Sequence, residues 1–393
     1  MRIAAFGDCH IGSYGKKIDQ ETGLNARLLD MTKALRFVTR DAEEQGADAI
    51  LFAGDMFRTS KPSPTELVMA KNALIGCYSQ LPIYAIPGNH DLPRSKGDES
   101  AVAPIDRING LMVFNQPYIY HHSNRGENEF QLVTLPYPNR AQLAAVLPDY
   151  DKLSPEEADK LVGAHVETIL HGMAAQIDTS KPSILLAHLS IDAAEVGVER
   201  SIMAGRDITI PLHAIPEEFT FAAFGHIHKA QDFGTYGRPN VFYTGSTDRI
   251  DFGEEQEEKS YVMMDLDAGT WERIPIPCRK YRTFRYWAFD DQGDAWAGEL
   301  DAAKDAICRV EISRPDTFKP DYALLQREIE DAGCFDFRGF TEDVQRIASV
   351  RSEEIVKAQT LDELLGVWHE SKSCQIPLNE LVSAGSELER KVL

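Results

Sequence analysis

The apolar positions change their period along the chain. Short apolar runs at Arg2–Phe6, Asp48–Ala53, Ile83–Ile86 and Ile184–Ala187 read as buried strands. Helical patterns lie between them. Asn25–Glu44 carries Leu28, Leu29, Leu35, Phe37 and Val38 on one side, and Pro64–Tyr78 follows. Ser154-Pro155-Glu156-Glu157 opens another helix, with Ser as N-cap, Pro at the first position and Glu reaching back. Strands alternating with helices predict an α/β sheet. From Phe219 to Ile276 the pattern turns to successive strands (Phe219–Phe224, Val241–Thr244, Tyr261–Leu266, Trp271–Ile276), which predict a second sheet in the same domain. Past a boundary at Pro275–Pro277, Tyr281–Phe289, a helical Glu299–Ala306, strand-like Cys308–Ile312 and a helical Tyr322–Ala332 read as a small α+β module. Thr360-Leu361-Asp362-Glu363 is a capping box. Leu361, Leu364, Leu365 and Trp368 follow at i, i+3, i+4, i+7, and Leu378, Leu381, Val382 and Leu388 form a second stripe. Two readings of these helices stand side by side: packing on their own domain, or docking to a partner helix.

Composition narrows the class. The chain has 393 residues, a length that suits two or three domains, with 43% hydrophobic and 26% charged residues. No apolar run approaches the ~18 residues of a membrane span, and the N-terminus reads as lacking a signal peptide. Six scattered Cys with no CxxC argue for a reducing compartment, so a cytoplasmic location is expected. The net charge of −21 disfavours a coat of non-specific nucleic-acid contacts and leaves room for local ones.

Five short clusters carry the candidate chemistry: Asp8-Cys9-His10, Gly54-Asp55, Gly88-Asn89-His90-Asp91, His188 and Gly225-His226-Ile227-His228. Each ends a predicted strand, the edge of an α/β sheet where loops converge on ligands. Positions i and i+2 share a face in extended chain, so Asp8 pairs with His10 and His226 with His228, while Cys9 faces the other way and reads as packing. Carboxylate, imidazole and amide form a ligand set for divalent manganese, iron or zinc. Singly, each cluster has an ordinary structural explanation, such as a turn or a hydrogen-bonded core histidine. Their conjunction points to a metal site.

This series resembles the calcineurin-like metallophosphoesterases, and within them the SbcD-type nucleases. The likeness extends through Phe242-Tyr243-Thr244-Gly245-Ser246, Phe252, Glu254 and Lys259-Ser260-Tyr261-Val262, and more thinly through Arg346 to Leu365. It implies a two-sheet sandwich over residues 1–276, a capping domain over 277–345 and a helical partner-docking region over 346–393. It implies that Asp8, His10 and His228 hold one metal, that Asn89, His188 and His226 hold the other, and that Asp55 bridges them. Manganese is the family's usual ion. His90 would protonate the leaving oxygen, and Asp91 would orient His90, a plain turn cap being the other reading of Asp91. The implied activity is a metal-dependent DNA nuclease, exonucleolytic on duplex ends and endonucleolytic on single strands and hairpins. It would work with an SbcC-type coiled-coil ATPase docked by the C-terminal helices, as a homodimer formed through helices such as Pro64–Tyr78. Arg58 departs from the family, where His or Asp is usual, which leaves the balance of exonuclease and endonuclease action open.

Candidate DNA contacts are local. Arg279, Lys280 and Arg282 lie in the densest basic and aromatic stretch, which reads equally as an edge strand with solvated arginines. Lys16, Lys17, Arg94 and Lys96 follow metal motifs, and Arg58 could meet the phosphate bidentately. The run Glu254–Glu258 reads as a solvated loop. The competing function is a small-molecule phosphodiesterase or phosphatase on the same scaffold.

Overall fold

The computed structural model describes the chain except residues 76–80, 94–97, 109, 125–126, 139–142, 144–149, 196–206, 290–292, 346–359, 372–375 and 393. Arg94, Lys96, the end of the Pro64–Tyr78 helix and the stretch from Arg346 to residue 359 fall outside the described residues.

Strands β1 (Arg2–Phe6), β2 (Ala49–Phe52), β3 (Ile83–Ala85) and β4 (Leu111–Val113) run parallel side by side. β5 (Tyr118–Asn124) and β6 (Glu127–Leu135) form an antiparallel pair, and β7 (Ser183–His188) lies parallel to β6. β8 (Ser190–Ile191) and β9 (Thr209–Ile210) make a short separate pair. β10 (Phe221–Gly225), β11 (Gln231–Phe233) and β12 (Arg238–Tyr243) continue the β5–β7 sheet. β13 (Ser260–Asp265) and β14 (Thr270–Pro275) instead return to β1. The result is two six-stranded sheets of order β14-β13-β1-β2-β3-β4 and β11-β12-β10-β7-β6-β5. The expectation that 219–276 forms a sheet of its own is thus corrected: its strands divide between both sheets.

The two-sheet sandwich follows from the strand period of two. In β1, Ile3 and Ala5 face the second sheet, where they join Leu51, Leu132, Ile184, Leu186 and Phe242 in one buried cluster. Ala4 and Phe6 point the other way, onto helices α1 (Ala26–Glu44) and α2 (Pro64–Ile75), in a cluster with Leu28, Met31, Leu35 and Leu74. Both faces of β1 are therefore buried, which is why it reads as an unbroken apolar run. On the far side of the second sheet, Val162, Val166 and Leu170 of α3 (Pro155–Ala174) pack against Leu185, Ala187 and Phe224. Asn25 caps α1 by accepting from the Arg27 and Leu28 amides, and the Ser154–Glu157 capping box of α3 is present as expected.

β15 (Tyr281–Phe289), β16 (Gly293–Trp296), β17 (Ile307–Pro315) and β18 (Asp336–Gln345) form a four-stranded sheet of order β16-β15-β17-β18. The helix expected over Glu299–Ala306 is only a 3-10 turn, Leu300–Ala303. Helix α4 spans Tyr322–Asp331. The chain divides into two compact units. One holds Met1–Thr283, Glu299–Arg309 and Leu324–Gly339; the other holds Phe284–Gly298, Val310–Ala323 and Phe340–Leu393. Within the second unit, α5 (Leu361–Ser371) and α6 (Leu378–Val392) pack together, with Gly385 placed so that an added Cβ would strike Leu365.

Candidate metal centre

The parallel strands of the two sheets aim their C-terminal ends at one place. The loops after β1 and β2 are zipped together there: the Asp8 amide donates to the Gly54 carbonyl (2.9 Å), His10 to Asp55 (3.0 Å) and Ile11 to Met56 (2.8 Å). Asp8, His10, Asp55 and His226 all adopt positive φ, between 44° and 96°. Such backbone costs on the order of 1–3 kcal/mol per residue and persists where surrounding structure enforces it, typically at functional sites. Gly54, at φ 98°, is required on two counts, since a Cβ there would also meet His188 Nδ1 at 2.5 Å.

Hydrogen bonds assign the free nitrogen of most of the rings. His188 Nδ1 lies 2.6 Å from the Ala53 carbonyl, an acceptor only, so Nδ1 carries the proton and Nε2 turns inward. That Nε2 lies 3.1 Å from Asn89 Oδ1 and 3.5 Å from Asp55 Oδ2. His226 is reversed. Its Nε2 donates to Asp207 (3.0 Å), and Nδ1 faces Asn89 Oδ1 (3.0 Å). His228 Nδ1 donates to Glu254 (2.8 Å), which leaves Nε2 3.0 Å from Nε2 of His10. The same Asp55 oxygen lies 3.5 Å from His10 Nε2. Asp55 Oδ2 thus stands between His10 on one side and His188 on the other. Asp8 takes the His226 amide on both carboxylate oxygens, and Asp55 takes the His90 amide at 2.8 Å.

Ligand atoms of Asp8, His10 and His228 lie within 4.8 Å of one another, as do those of Asp8, Asp55 and His188, and those of His10, Asp55 and His90. Asp8, His10, Asp55, His188 and His226 are all buried. Burial, partly offset by His188 and His228, pushes the Asp8 carboxyl up to about 6. Burial acts the same way on Asp55, but His188 and His10 overcome it and hold that carboxyl far below the usual range. Burial lowers the His188 ring, yet Asp55 outweighs it and raises the group to about 9. Converging imidazole lone pairs and buried carboxylates are a donor set that a divalent cation satisfies, and their types suit manganese, iron or zinc.

The seven residues read as ligands from the sequence are therefore brought together. His90 joins them at the rim and is exposed, with its ring 4.7 Å from that of His10. Its Nδ1 meets the Arg58 carbonyl at 2.9 Å. This corrects the part given to Asp91. The Asp91 carboxylate instead accepts from the amides of Met56, Phe57 and Gly88, at 3.0–3.1 Å, and ties the second loop to the third. Burial pushes Asp91 up to about 7. Cys9 is buried in the helix-side core, as packing requires.

The basic candidates separate. Arg58 is exposed, with its guanidinium 4.4 Å from the Tyr14 ring centre and bonded to the Ser13 carbonyl (2.7 Å). Lys16 and Lys17 are exposed, and Lys17 lies over Phe335. Arg279 is engaged within the fold by Asp30 (2.7 Å), the Asp305 carbonyl and the Phe335 ring. Lys280 is exposed and Arg282 half-buried, while Tyr281, Phe284 and Tyr286 are buried, the alternation of a half-covered strand.

Sequence reasoning missed two carboxylates. Glu254, read as solvated, is 2% exposed and pairs with both His228 and the buried Lys259. Burial raises its carboxyl, but His228 and Lys259 hold it down at about 2. Asp207, between His226 and the Ser190 hydroxyl, stands in no motif.

A sequence model of the calcineurin-like phosphoesterases matches residues 1–230, more than half the chain. The chain belongs to the calcineurin-like phosphoesterases. Its curated relatives in this family include the SbcD component of the SbcCD nuclease of Bacillus subtilis (27% identical over 291 residues, 71% of each chain) and that of Staphylococcus epidermidis (25% over 282 residues, 68% of this chain and 66% of the relative). The DNA double-strand break repair protein Mre11 of Archaeoglobus fulgidus is 27% identical over 262 residues, 66% of this chain. The match spans about half of that relative, 53%. Solved phosphoesterase structures align more loosely. A dimetal phosphatase from Danio rerio gives a TM-score of 0.39 at 10% identity, over 67% of this chain and 92% of the other. The purple acid phosphatase PPD1 of yellow lupin gives 0.35 at 12%, over 67% and 48%. The resemblance read from the five clusters is borne out at the level of the family. Among the described residues, no helix is long and apolar enough to cross a membrane.

Proposed function

We propose that this phosphoesterase is a metal-dependent DNA nuclease, the nuclease component of an SbcC–SbcD-type complex that processes DNA ends in the cytoplasm. The observation that carries this reading is the convergence of Asp8, His10, Asp55, Asn89, His188, His226 and His228 on one point, with His90 exposed beside it. The curated relatives named as SbcCD nuclease subunits, and the DNA double-strand break repair protein beside them, support DNA as the substrate class.

Asp8, His10 and His228 would hold one divalent ion, Asn89, His188 and His226 a second, and Asp55 would bridge them, with manganese the expected metal. Bound ions would supply Lewis acidity toward a phosphodiester and lower the pKa of an attacking water. The chain's residues do the rest. Asp207, Glu254 and the Ala53 carbonyl fix the tautomers of His226, His228 and His188, so each of these three would offer an ion a lone pair. The Arg58 carbonyl accepts from His90 Nδ1–H and leaves Nε2 as the nitrogen that would pass a proton to the leaving oxygen. Arg58, Lys16, Lys17, Lys280 and Arg282 would contact phosphates near the site.

Residues 277–345 would cap the DNA groove. The C-terminal helices would dock on the coiled-coil ATPase, a reading supported by Leu364 and Trp368, which stay 38% and 41% exposed on α5. α2 would contribute to a homodimer.

The test is digestion of end-labelled duplex, hairpin and circular single-stranded DNA with manganese, with magnesium and with chelator, beside His90→Ala. Metal-dependent cleavage that is lost in the variant supports the reading, and the product ladder separates exonuclease from endonuclease action. Turnover of a small aryl phosphodiester with all DNA left intact points to a small-molecule phosphodiesterase.

A further inference from the structure

A cavity of about 300 Å³ opens directly beside the metal centre and has no part in holding the ions. Tyr137 joins the two. Its ring centre lies 5.7 Å from that of His226 and 6.1 Å from that of His188, and the same side chain forms a wall of the cavity. The Tyr137 amide donates to the Pro87 carbonyl, at the start of the loop that bears Asn89 and His90. Leu92 and Pro93, which follow that loop, and Ile169 of α3 line it as well.

The lining has two kinds of surface. Tyr137, with prolines and leucines, offers flat apolar area on which a planar ring can stack. The rim offers Asn115 and Gln116 amides and the Asp98 and Glu99 carboxylates. Two carboxylates repel a phosphate and accept from ring N–H and exocyclic amino groups. A volume of this size suits a single small ring system and excludes a base pair.

We propose that this cavity takes one unpaired nucleobase of the strand being cut, stacked on Tyr137, while that nucleotide's phosphate lies at the metal centre. The proposal rests on the nuclease reading above and adds to it a subsite for the base of an unstacked nucleotide. Proteins that handle single strands use the same means, aromatic faces for the bases and polar groups for their edges.

The test is binding of 2-aminopurine deoxynucleoside 5′-monophosphate to the manganese-loaded full chain, read by quenching of the base's fluorescence. The probe is then displaced with deoxyadenosine monophosphate or with 2-deoxyribose 5-phosphate. The proposal predicts displacement by the nucleotide at least about tenfold better than by the base-free sugar phosphate. Ile169→Phe, which enlarges a lining side chain, should weaken probe binding by a similar factor. Gln116→Phe, at an exposed rim position, gives the same reading should the first variant fail to fold. Equal displacement by the base-free compound overturns the proposal, as does unchanged probe binding in either folded variant. DNA cleavage is measured in parallel. Base binding without DNA cleavage removes the nuclease reading and keeps the pocket; cleavage without base preference does the reverse.

Discussion

Asp207 and His226 meet through a 3.0 Å hydrogen bond from the ring Nε2 to the carboxylate, and this contact decides which nitrogen His226 presents to the metal centre. Burial works to raise the Asp207 carboxyl, but His226 and the Ser190 hydroxyl hold it below the usual range, so it is a standing acceptor for that proton. Nδ1 is the nitrogen turned to the site, 3.0 Å from Asn89 Oδ1. Asp207→Ala should free the ring to turn and lower metal affinity about 10- to 100-fold, with the fold retained. Competition with a metal-binding dye checks this. Unchanged affinity would mean that Asp207 is only a loop contact.

Arg58 lies flat on Tyr14 and bonds to the Ser13 carbonyl, so it is held in place while still exposed. If it contacts a phosphate, Arg58→Ala should weaken DNA binding for all sequences alike and reduce the slope of log affinity against log salt by about one. Binding isotherms at several salt concentrations measure that slope. An unchanged slope makes Arg58 a structural arginine.

Arg27 is fully buried and ion-paired to Asp248 at 3.1 Å and to Asp30 at 3.0 Å, and it also bonds to the Arg249 carbonyl. Arg27→Met removes the cation that pairs with the buried Asp248 and should destabilise the chain by about 3–5 kcal/mol. Adding Asp248→Leu should recover much of that loss. Urea unfolding of the two variants decides it, and a neutral single variant would contradict the buried-pair account.

The first turn of α3 carries a pH dependence with a definite sign. The Ser154 hydroxyl and amide bond to Glu157 and hold its carboxyl below the ordinary range. A carboxyl depressed by folding contributes stability that is present above its unfolded pKa and is lost as pH falls through the folded one. Protection of the amides in the first turn of α3, measured as exchange relative to the unstructured rate at the same pH, should therefore fall as the pH drops through the acid range. In Glu157→Gln that acid dependence should vanish.

The seven candidate ligands and His90 were legible because strand ends announce themselves. An apolar run followed by Asp-x-His or His-x-His places two ligand side chains on one face of the chain. Asp207 was not legible. It precedes its partner by nineteen residues in an otherwise unmarked segment, and only the return of β10 beside β7 brings them together. Glu254 was misread for a different reason. In an acidic run every carboxylate looks solvated, and the 3-10 turn Phe252–Glu254 selects one of them to face His228. The apolar patterns of β13 and β10 are alike, so nothing local told that one would pair with β1 and the other with β7. The hairpin of β5 and β6 escaped because polar positions interrupt its apolar side, as at His121 and Gln131.

The most direct measurement is the number of manganese ions bound per chain, determined by metal analysis after equilibrium dialysis, for the wild type and for Asp55→Ala, with DNA cleavage read on the same samples. Asp55 Oδ2 stands 3.5 Å from both His10 and His188, so the account predicts two ions in the wild type, loss of at least one in the variant, and loss of cleavage with it. One ion or none in a wild-type chain that still cuts DNA would contradict a bridged pair of metals as the source of the activity.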